Sequence, residues 1–402
     1  MRVVMSTYGS RGDVEPMAAL GVTLQQLGVE AVVCAPPEPE FEALLERSGV
    51  AMVPAGMSVK ELIAHARANP HVTLPERART VTAAQYEVVL EAAQKADVII
   101  GSGLMPAAAG ARTAADQLGL PFHLVAFQSV TMPSPHQPPI AYPGRPLPPD
   151  VTDNRELWKL DVENMNAIFG GAVNDHRATV GLPPVPDIRA HVLNKRPWLA
   201  VDPTLAPWQP SDLVDVLQTG AWILPDTRPL APEVEAFLAA GDAPVYVGFG
   251  SMAMGNASAE VATAAVEAAR ALGRRIILAQ GWAGLSAIDS QDDCFVVGDV
   301  NQQSLFPRCA AVVHHGGAGT TTAAARAGVP QVIVPQVVDQ PFFARRVSEL
   351  GIGVAHEGSV PTAHSLTEAL RKALPLAAAA QEVAGQIRTD GTLVAARALG
   401  AA

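Results

Sequence analysis

The chain reads as two doubly wound parallel α/β domains, and three observations point there. Short apolar segments alternate with helical ones in two separate series. Glycines stand directly after the ends of several apolar segments. A proline-bearing stretch of weak periodicity lies between the two series.

In the first series, residues 2–6 form a β-rich apolar run, followed by a turn at Gly9 and Gly12 and a helical pattern over 15–27. Residues 31–34 predict a second strand, stopped by Pro36 and Pro37. Helix 40–47, strand 51–53, strand 98–100, helix 107–118 and strand 122–126 continue the alternation. Residues 128–150 hold eight prolines, which excludes regular structure, and a loop of that length inside a domain is usually functional or mobile. A helical pattern returns over 158–180, before a second proline-rich stretch at 183–186.

Pro203, Pro207 and Pro210 mark the stretch between halves, with a linker expected at 206–226. The second series then predicts strand 245–249, helix 259–272, strands 275–279 and 311–314, helix 320–327 and strand 331–334. The expected division is an N-terminal domain 1–205, the linker, a C-terminal domain 227–385, and a last helix 386–402 able to pack back on the first domain.

A chain of 402 residues exceeds the usual single-domain size. With 49% hydrophobic and 17% charged residues it has the composition of a well-buried globular protein. The net charge of −11 argues against nucleic acid or an anionic membrane as the main partner. Any anion must therefore be held by local dipoles or a few placed cations. Cys34, Cys294 and Cys309 form neither a metal-ligand spacing nor a disulfide framework, so a reducing cytoplasm is expected. The N-terminal apolar run is too short for a signal sequence and no run has bilayer length, so no stable membrane association is expected.

The richest segment is AAVVHHGGAGTTTAAARAGVPQVIVPQVVDQP, residues 310–341. A buried strand runs through Gly316, Gly317, Ala318, Gly319 and Thr320 directly into a helix. Glycine lets backbone approach a ligand, and the free amides and positive dipole end of the helix attract phosphate. Thr320 and Thr321 add hydroxyls, and His315 stands where it can donate to a phosphate oxygen. Lysine is absent, so this is no triphosphatase loop. A glycine turn without ligand is the plain alternative; what weighs against it is the strand, Pro335 and the pair Asp339-Gln340 that follow. A carboxylate beside an amide suits adjacent hydroxyl groups, although alone the pair would read as a polar loop. There is no Asp-x-Asp pair to suggest a metal clamp on a diphosphate.

This stretch resembles the nucleotide-sugar signature of family 1 glycosyltransferases with the GT-B fold, most of all the glycopeptide-antibiotic (vancomycin-group) enzymes and more distantly the sterol glucosyltransferases. MRVVMSTYGSRGDVEP at the start, the PSP-containing proline loop, VGLPP at 180–184, LQTGAWILPD at 217–226, VYVGFGS at 245–251 and FVVGDVN at 295–301 share the likeness, which spans nearly the whole chain. The resemblance implies two Rossmann-like domains facing across a cleft. His315 then matches the histidine touching the donor diphosphate, with residues 316–320 as its cradle. Asp339 and Gln340 match the pair that holds the sugar hydroxyls. One departure is visible: many relatives carry a glutamate that grips the ribose where this chain has Ala323, so uridine and thymidine donors are not separated.

GSRGD, residues 9–13, lies at the carboxyl end of the first strand, where open α/β sheets present functional groups. Asp13 has two readings. Followed by Glu15 and Pro16 it fits a helix N-cap; by resemblance it is the general base. A carboxylate is a weak base toward an alcohol but adequate for a phenol or for a proton lost late. Ser10 and Arg11 would face the donor phosphates or the acceptor. Ser251, closing GFGS, is placed to hydrogen-bond a phosphate. Trp282 and the Val300 backbone are candidates to flank the nucleobase, Trp282 reading equally as a partly buried core residue. His314 reads as a packed strand-end histidine.

The reaction so implied is an inverting, metal-independent displacement with no cofactor. A glucose-type hexose passes from a UDP- or dTDP-sugar to a hydroxyl or phenol of a small natural product, by resemblance a peptide-antibiotic aglycone. Residues 57–72 and 128–150 would shape the acceptor pocket. A sugar-nucleotide epimerase of the same fold would lack a large acceptor pocket, which the long proline loop argues against. A non-catalytic helper would be expected to lose the cradle or Asp13, and both are present.

Overall fold

The computed structural model describes residues 1–252 and 257–401. Its first sheet contains β1 (Arg2–Ser6), β2 (Glu30–Ala35), β3 (Ala51–Pro54), β4 (Val98–Gly101), β5 (Phe122–Ala126), β6 (Trp198–Leu199) and β7 (Leu217–Gln218). The second contains β8 (Val245–Gly248), β9 (Ile276–Ala279), β10 (Cys294–Val297), β11 (Ala311–His314), β12 (Gln331–Ile333) and β13 (Gly353–Ala355). Every pairing is parallel. The strand orders are β3-β2-β1-β4-β5-β6-β7 and β10-β9-β8-β11-β12-β13. Both therefore reverse direction of winding once, between β1 and β4 and between β8 and β11. In open α/β sheets this switch point, at the carboxyl ends of the strands, is where ligands bind.

The inner strands are largely buried on both faces, as parallel strands commonly are, and the edge strands β3, β7, β10 and β13 are partly open. In the second sheet Val245, Val247, Ile276, Leu278, Ala311 and Val313 enter one apolar cluster with the helices Ser258–Ala271 and Ala363–Ala373. Tyr246, Ile277, Val312 and Phe306 enter the cluster on the opposite face. This alternation is the strand's twofold side-chain period at work.

The chain divides into two compact units. One holds Met1–Val201, Trp208–Leu224 and the chain from Thr389 onward; the other holds Asp202–Pro207 and Pro225–Arg388. The segment expected as a linker, 206–226, thus includes an edge strand, β7, of the first sheet. Its two-residue length hides it from any pattern search. The helix Gly391–Ala398 packs in the first unit, where the Thr23 hydroxyl donates to that of Thr392 at 2.8 Å and a Cβ on Gly391 would lie 2.3 Å from the Ala221 carbonyl. No helix among the described residues is long and apolar enough to cross a membrane.

The longest helix, Leu74–Ala92, carries no expectation from its sequence because its buried face includes the polar Thr82 and Gln85. It packs on Met105–Leu118, whose inner face is mostly alanine and glycine. The Thr82 hydroxyl donates to the Pro106 carbonyl at 3.1 Å. A Cβ on Gly110 would stand 2.4 Å from the Thr82 carbonyl oxygen, so Gly110 sets how closely the two helices approach. Gly110→Ala must push them apart and is expected to lower unfolding free energy by about 1–3 kcal/mol, the usual cost of overpacking. Denaturant titration measures it; an unchanged midpoint would show that the helices yield freely.

Candidate active site

At the first switch point β1 ends at Ser6 and the chain turns through Thr7–Ser10 into the helix Arg11–Gln26. The N-cap is Ser10, not Asp13: its hydroxyl accepts from the Gly12 amide at 3.3 Å. Asp13 is the third helical residue and closes a capping box, its Oδ2 accepting from the Ser10 amide at 2.8 Å. The capping expectation for Asp13 is thereby corrected by three positions. A serine hydroxyl reaches the first-turn amides, while the carboxylate reaches back. The helix likewise starts four residues earlier than its apolar pattern, because Arg11 and Gly12 carry no apolar face.

Gly9 explains the rest of the motif. A Cβ there would lie 2.1 Å from Oδ2 of Asp13 and 2.6 Å from its Cγ, so the carboxylate rests directly on the glycine. Desolvation by the surrounding protein pushes the Asp13 pKa up to about 6, with the Ser10 amide and hydroxyl pulling back. The result is a carboxylate held in one orientation and more basic than usual. Arg11 pairs with Glu15 at 2.6 Å, and the Ser10 hydroxyl serves the cap. From β4, Gly103 comes in at φ +85 with its would-be Cβ 2.4 Å from the Tyr8 carbonyl, and the Leu104 amide donates to that carbonyl. Gly103 was not singled out in the sequence; a glycine two residues past a strand end at the switch point is the signal.

At the second switch point, β8 leads through Gly250 (φ +55) to Ser251, and β9 leads to Gly281 (φ +48) and Trp282. The Trp282 amide donates to the Gly250 carbonyl at 2.8 Å. A Cβ on Gly281 would stand 2.5 Å from that same oxygen. Trp282 is only half-buried and belongs to none of the apolar clusters among the described residues. Val300, past β10, packs with Ala323 on the cluster of Phe306 and Val312. Ala323, where the resemblance led to the expectation of a glutamate, and Val300 thus lie against the same apolar cluster.

β11 delivers the cradle. His314 is fully buried; its Nδ1 accepts from the Gly316 amide at 3.1 Å, so the ring proton sits on Nε2 and is shared with Oε1 of Gln331 at 2.8 Å. Burial, the neighbouring His315 and the Gln331 contact together leave its pKa at about 3. It is a structural residue, as its strand-end position suggests. His315 lies between glycines: would-be Cβ atoms on Gly317 and Gly250 would stand 2.5 Å from its Nε2 and 3.3 Å from its Cε1. Burial holds its pKa down to about 4, and its Nδ1 has no hydrogen-bond partner among the described residues.

Gly317 begins the helix Ala318–Arg326 with no side-chain cap. The amides of Ala318, Gly319 and Thr320 precede the first intrahelical bond, from Thr321 to Gly317, and carry the helix's positive end. No heavy atom lies within 4 Å of a Cβ built on Gly319. Thr321, expected to offer a hydroxyl, does not: it is buried, and its hydroxyl bonds the Gly317 carbonyl at 2.9 Å.

Past β12, Oε1 of Gln340 accepts from the amides of Gln336 at 2.7 Å and Val337 at 3.0 Å. Between them Val338 is held at φ +55, a conformation that costs a β-branched residue on the order of 1–3 kcal/mol. Gly316, at φ +93, presses on this loop, its would-be Cβ 3.4 Å from the Gln340 Cα. The structure therefore brings His315, Gly316, Gly317, Gly250 and Gln340 together. Asp339 and Gln340 are both largely buried.

The chain matches the family description "Glycosyltransferase family 28 N-terminal domain" over residues 3–134 and "Erythromycin biosynthesis protein CIII-like, C-terminal domain" over 266–394. It is similar over 100% of its length to a solved glycosyltransferase, VinC in complex with dTDP, covering 99% of that chain at 20% identity and a TM-score of 0.68. Fold and family together define a GT-B glycosyltransferase. The vancomycin aglycone glucosyltransferase of Amycolatopsis orientalis is 47% identical, the match covering 99% of this chain and 97% of that one. The dTDP-epi-vancosaminyltransferase of the same organism is 45% identical over 93% of this chain and 90% of its own. The chain belongs to the vancomycin-group glycosyltransferases.

The contact between Gly9 and Asp13 yields a test of the first switch point. Gly9→Ala leaves the Ser10 cap in place but must displace the Asp13 carboxylate, the flexible partner in that contact. Turnover is expected to fall about 100-fold, the scale of a 1 Å misplacement, with a stability loss of about 1 kcal/mol from the opened capping box. A Gly9→Ala protein with native turnover would show that the carboxylate's position is immaterial.

Proposed function

We propose that this glycosyltransferase transfers a glucose-type hexose, with inversion and without a metal ion, from a UDP- or dTDP-sugar to a phenol or hydroxyl of a glycopeptide-type aglycone in the cytoplasm. The observation that carries this reading is Asp13, a carboxylate fixed on Gly9 with its pKa raised to about 6. Such a group is mostly ionised at neutral pH yet basic enough to take a phenolic proton as the oxygen attacks the anomeric carbon. One base and one displacement invert the configuration.

The leaving diphosphate is met by the amides of residues 318–320 and by His315. With a pKa of about 4 that imidazole is neutral, so it acts as a hydrogen-bond donor rather than a cation. Asp339 accepts from sugar hydroxyls. Gln340, with Oε1 bonded to two amides and Nε2 donating to the Met252 sulfur at 3.6 Å, has one N–H left, which suits a hydroxyl oxygen and not an ammonium group. That asymmetry favours glucose over an amino sugar. The two relatives transfer, by their names, a glucosyl and an epi-vancosaminyl group at nearly equal identity, so overall likeness does not choose between them.

Incubation with UDP-glucose or dTDP-glucose and vancomycin aglycone tests the reading. A β-glucoside is expected, formed equally well in EDTA, with the two nucleotides used within about tenfold of each other. A dTDP-amino sugar preferred more than about tenfold, or activity lost to EDTA and restored by magnesium, would overturn the corresponding part.

The pH profile gives an independent check on Asp13. Protonation below about pH 6 removes the base, so kcat/KM should fall about tenfold per unit on the acid side of that value. In a variant lacking the carboxylate, Asp13→Ala, this limb should vanish. A limb that survives the substitution belongs to another group.

A further inference from the structure

The proline-rich loop, residues 128–150, has no regular structure beyond one turn at Ser129–Thr131 and a tight turn in which the Arg145 amide donates to the Tyr142 carbonyl at 2.9 Å, yet it is tied down from beneath. Arg189, in the helix Ile188–Leu193, is 4% exposed and Asp161, in the helix Asn154–Met165, is 1% exposed. Nε of the arginine stands 2.5 Å from Oδ2 of the aspartate. Its two other nitrogens point into the loop: Nη1 donates to the Thr131 carbonyl at 2.9 Å and Nη2 to the Tyr142 hydroxyl at 3.3 Å. The guanidinium also lies over the Trp158 ring at 5.2 Å, and that indole donates to the Gln137 carbonyl at 2.9 Å. One buried cation thus grips the start and the middle of the loop.

Stability alone does not account for this pair. Two charges so deeply buried lose most of their hydration, and apolar residues of similar volume commonly serve a core as well or better. An apolar pair cannot, however, present a planar fork of donors to a carbonyl and a hydroxyl eleven residues apart in the loop. The loop's place gives that fork a purpose. It leaves the carboxyl end of β5, which is separated from β1, the strand leading to Asp13, by β4 alone. Two strand spacings are about 10 Å. An acceptor with an oxygen at Asp13 and a body larger than a single ring can therefore reach the loop.

We infer that Arg189, seated on Asp161, is a positioning residue that fixes the 128–150 loop as the wall of the acceptor site. It touches no substrate and acts through the loop. The inference rests on the proposed function in taking Asp13 as the acceptor's base. It adds that acceptor recognition depends on a charge buried beneath the loop.

Two substitutions test it. Arg189→Lys keeps a cation opposite Asp161 but loses the fork. Tyr142→Phe removes only the loop-side hydroxyl and leaves the buried pair intact, so at least one variant is expected to fold as the native protein does. With UDP-glucose and vancomycin aglycone, Arg189→Lys should raise the aglycone KM by about tenfold or more, and Tyr142→Phe should raise it by a smaller factor. Hydrolysis of UDP-glucose without acceptor should stay within about twofold of native in both. Amide hydrogen exchange should quicken in residues 128–150 and not in residues 315–320.

An unchanged aglycone KM in folded Arg189→Lys, or an equal loss in hydrolysis and transfer, would overturn the inference. So would unchanged exchange in the loop, a measurement that needs no acceptor. Failure of the functional reading is seen separately, in the native protein alone, as no transfer to the aglycone.

Discussion

The glycine-rich turn of the second unit depends on one hydrogen bond, from the Gly316 amide to Nδ1 of the buried His314. It needs a neutral imidazole, because a protonated ring has no acceptor to offer. Burial supplies that neutrality by holding the His314 pKa at about 3. With Gly316 fixed at φ +93, the chain can press against Gln340 on one side and turn into the helix Ala318–Arg326 on the other. The cradle, the His315 ring and the Gln336–Gln340 loop thus share a single anchor. The arrangement is sensitive to acid. Both histidines have folded pKa values below the ordinary 6.5, so the unfolded chain binds more protons as pH falls from that value toward 4 and 3, and stability declines over the same range.

The two halves solve one geometric problem in the same way. Each sheet winds outward from a central strand pair, and each functional group sits just past the carboxyl end of one of those strands. Space there is short, since backbones from neighbouring strand ends converge. Glycine answers this at Gly9, beneath the Asp13 carboxylate, and at Gly317, beneath the His315 ring. In both places the missing Cβ is what lets a polar side chain lie flat against its own turn.

Much of this was legible in the sequence, and the parts that were not share a cause. The strand 98–100 announces itself because burial on both faces makes it wholly apolar, and 122–126 is apolar apart from His123. β7 does not announce itself, because two residues carry no period. The helix Leu74–Ala92 is hidden by a buried face that uses Thr82 and Gln85, whose hydrogen bonds to Pro106 and Ser6 only the fold reveals. At the site, the motifs marked the neighbourhood but not the division of labour. GSRGD gave Asp13, while the cap itself fell to Ser10. The 310–341 signature gave His315, while Thr321 turned inward. Arg189 and Asp161 lie 28 residues apart with nothing in the sequence to link them, and their pairing depends on how two helices pack beneath a loop.

Asp13 shows what the proposed function costs the fold. Its folded pKa of about 6 lies above the ordinary value of 3.8, so the native chain holds this proton more tightly than the unfolded one. Its contribution to stability is therefore most favourable below about pH 4, declines as pH rises toward 6, and stays unfavourable above. A base must work in that unfavourable range, because only the ionised form accepts a proton. The Ser10 amide offsets part of the cost by bonding Oδ2 at 2.8 Å, and the capping box makes that bond part of the helix start. Capping and the proposed base role are thus not rivals for this carboxylate. The cap fixes the side chain at the switch point, and the desolvation that makes it a better base is tolerable because the cap is there.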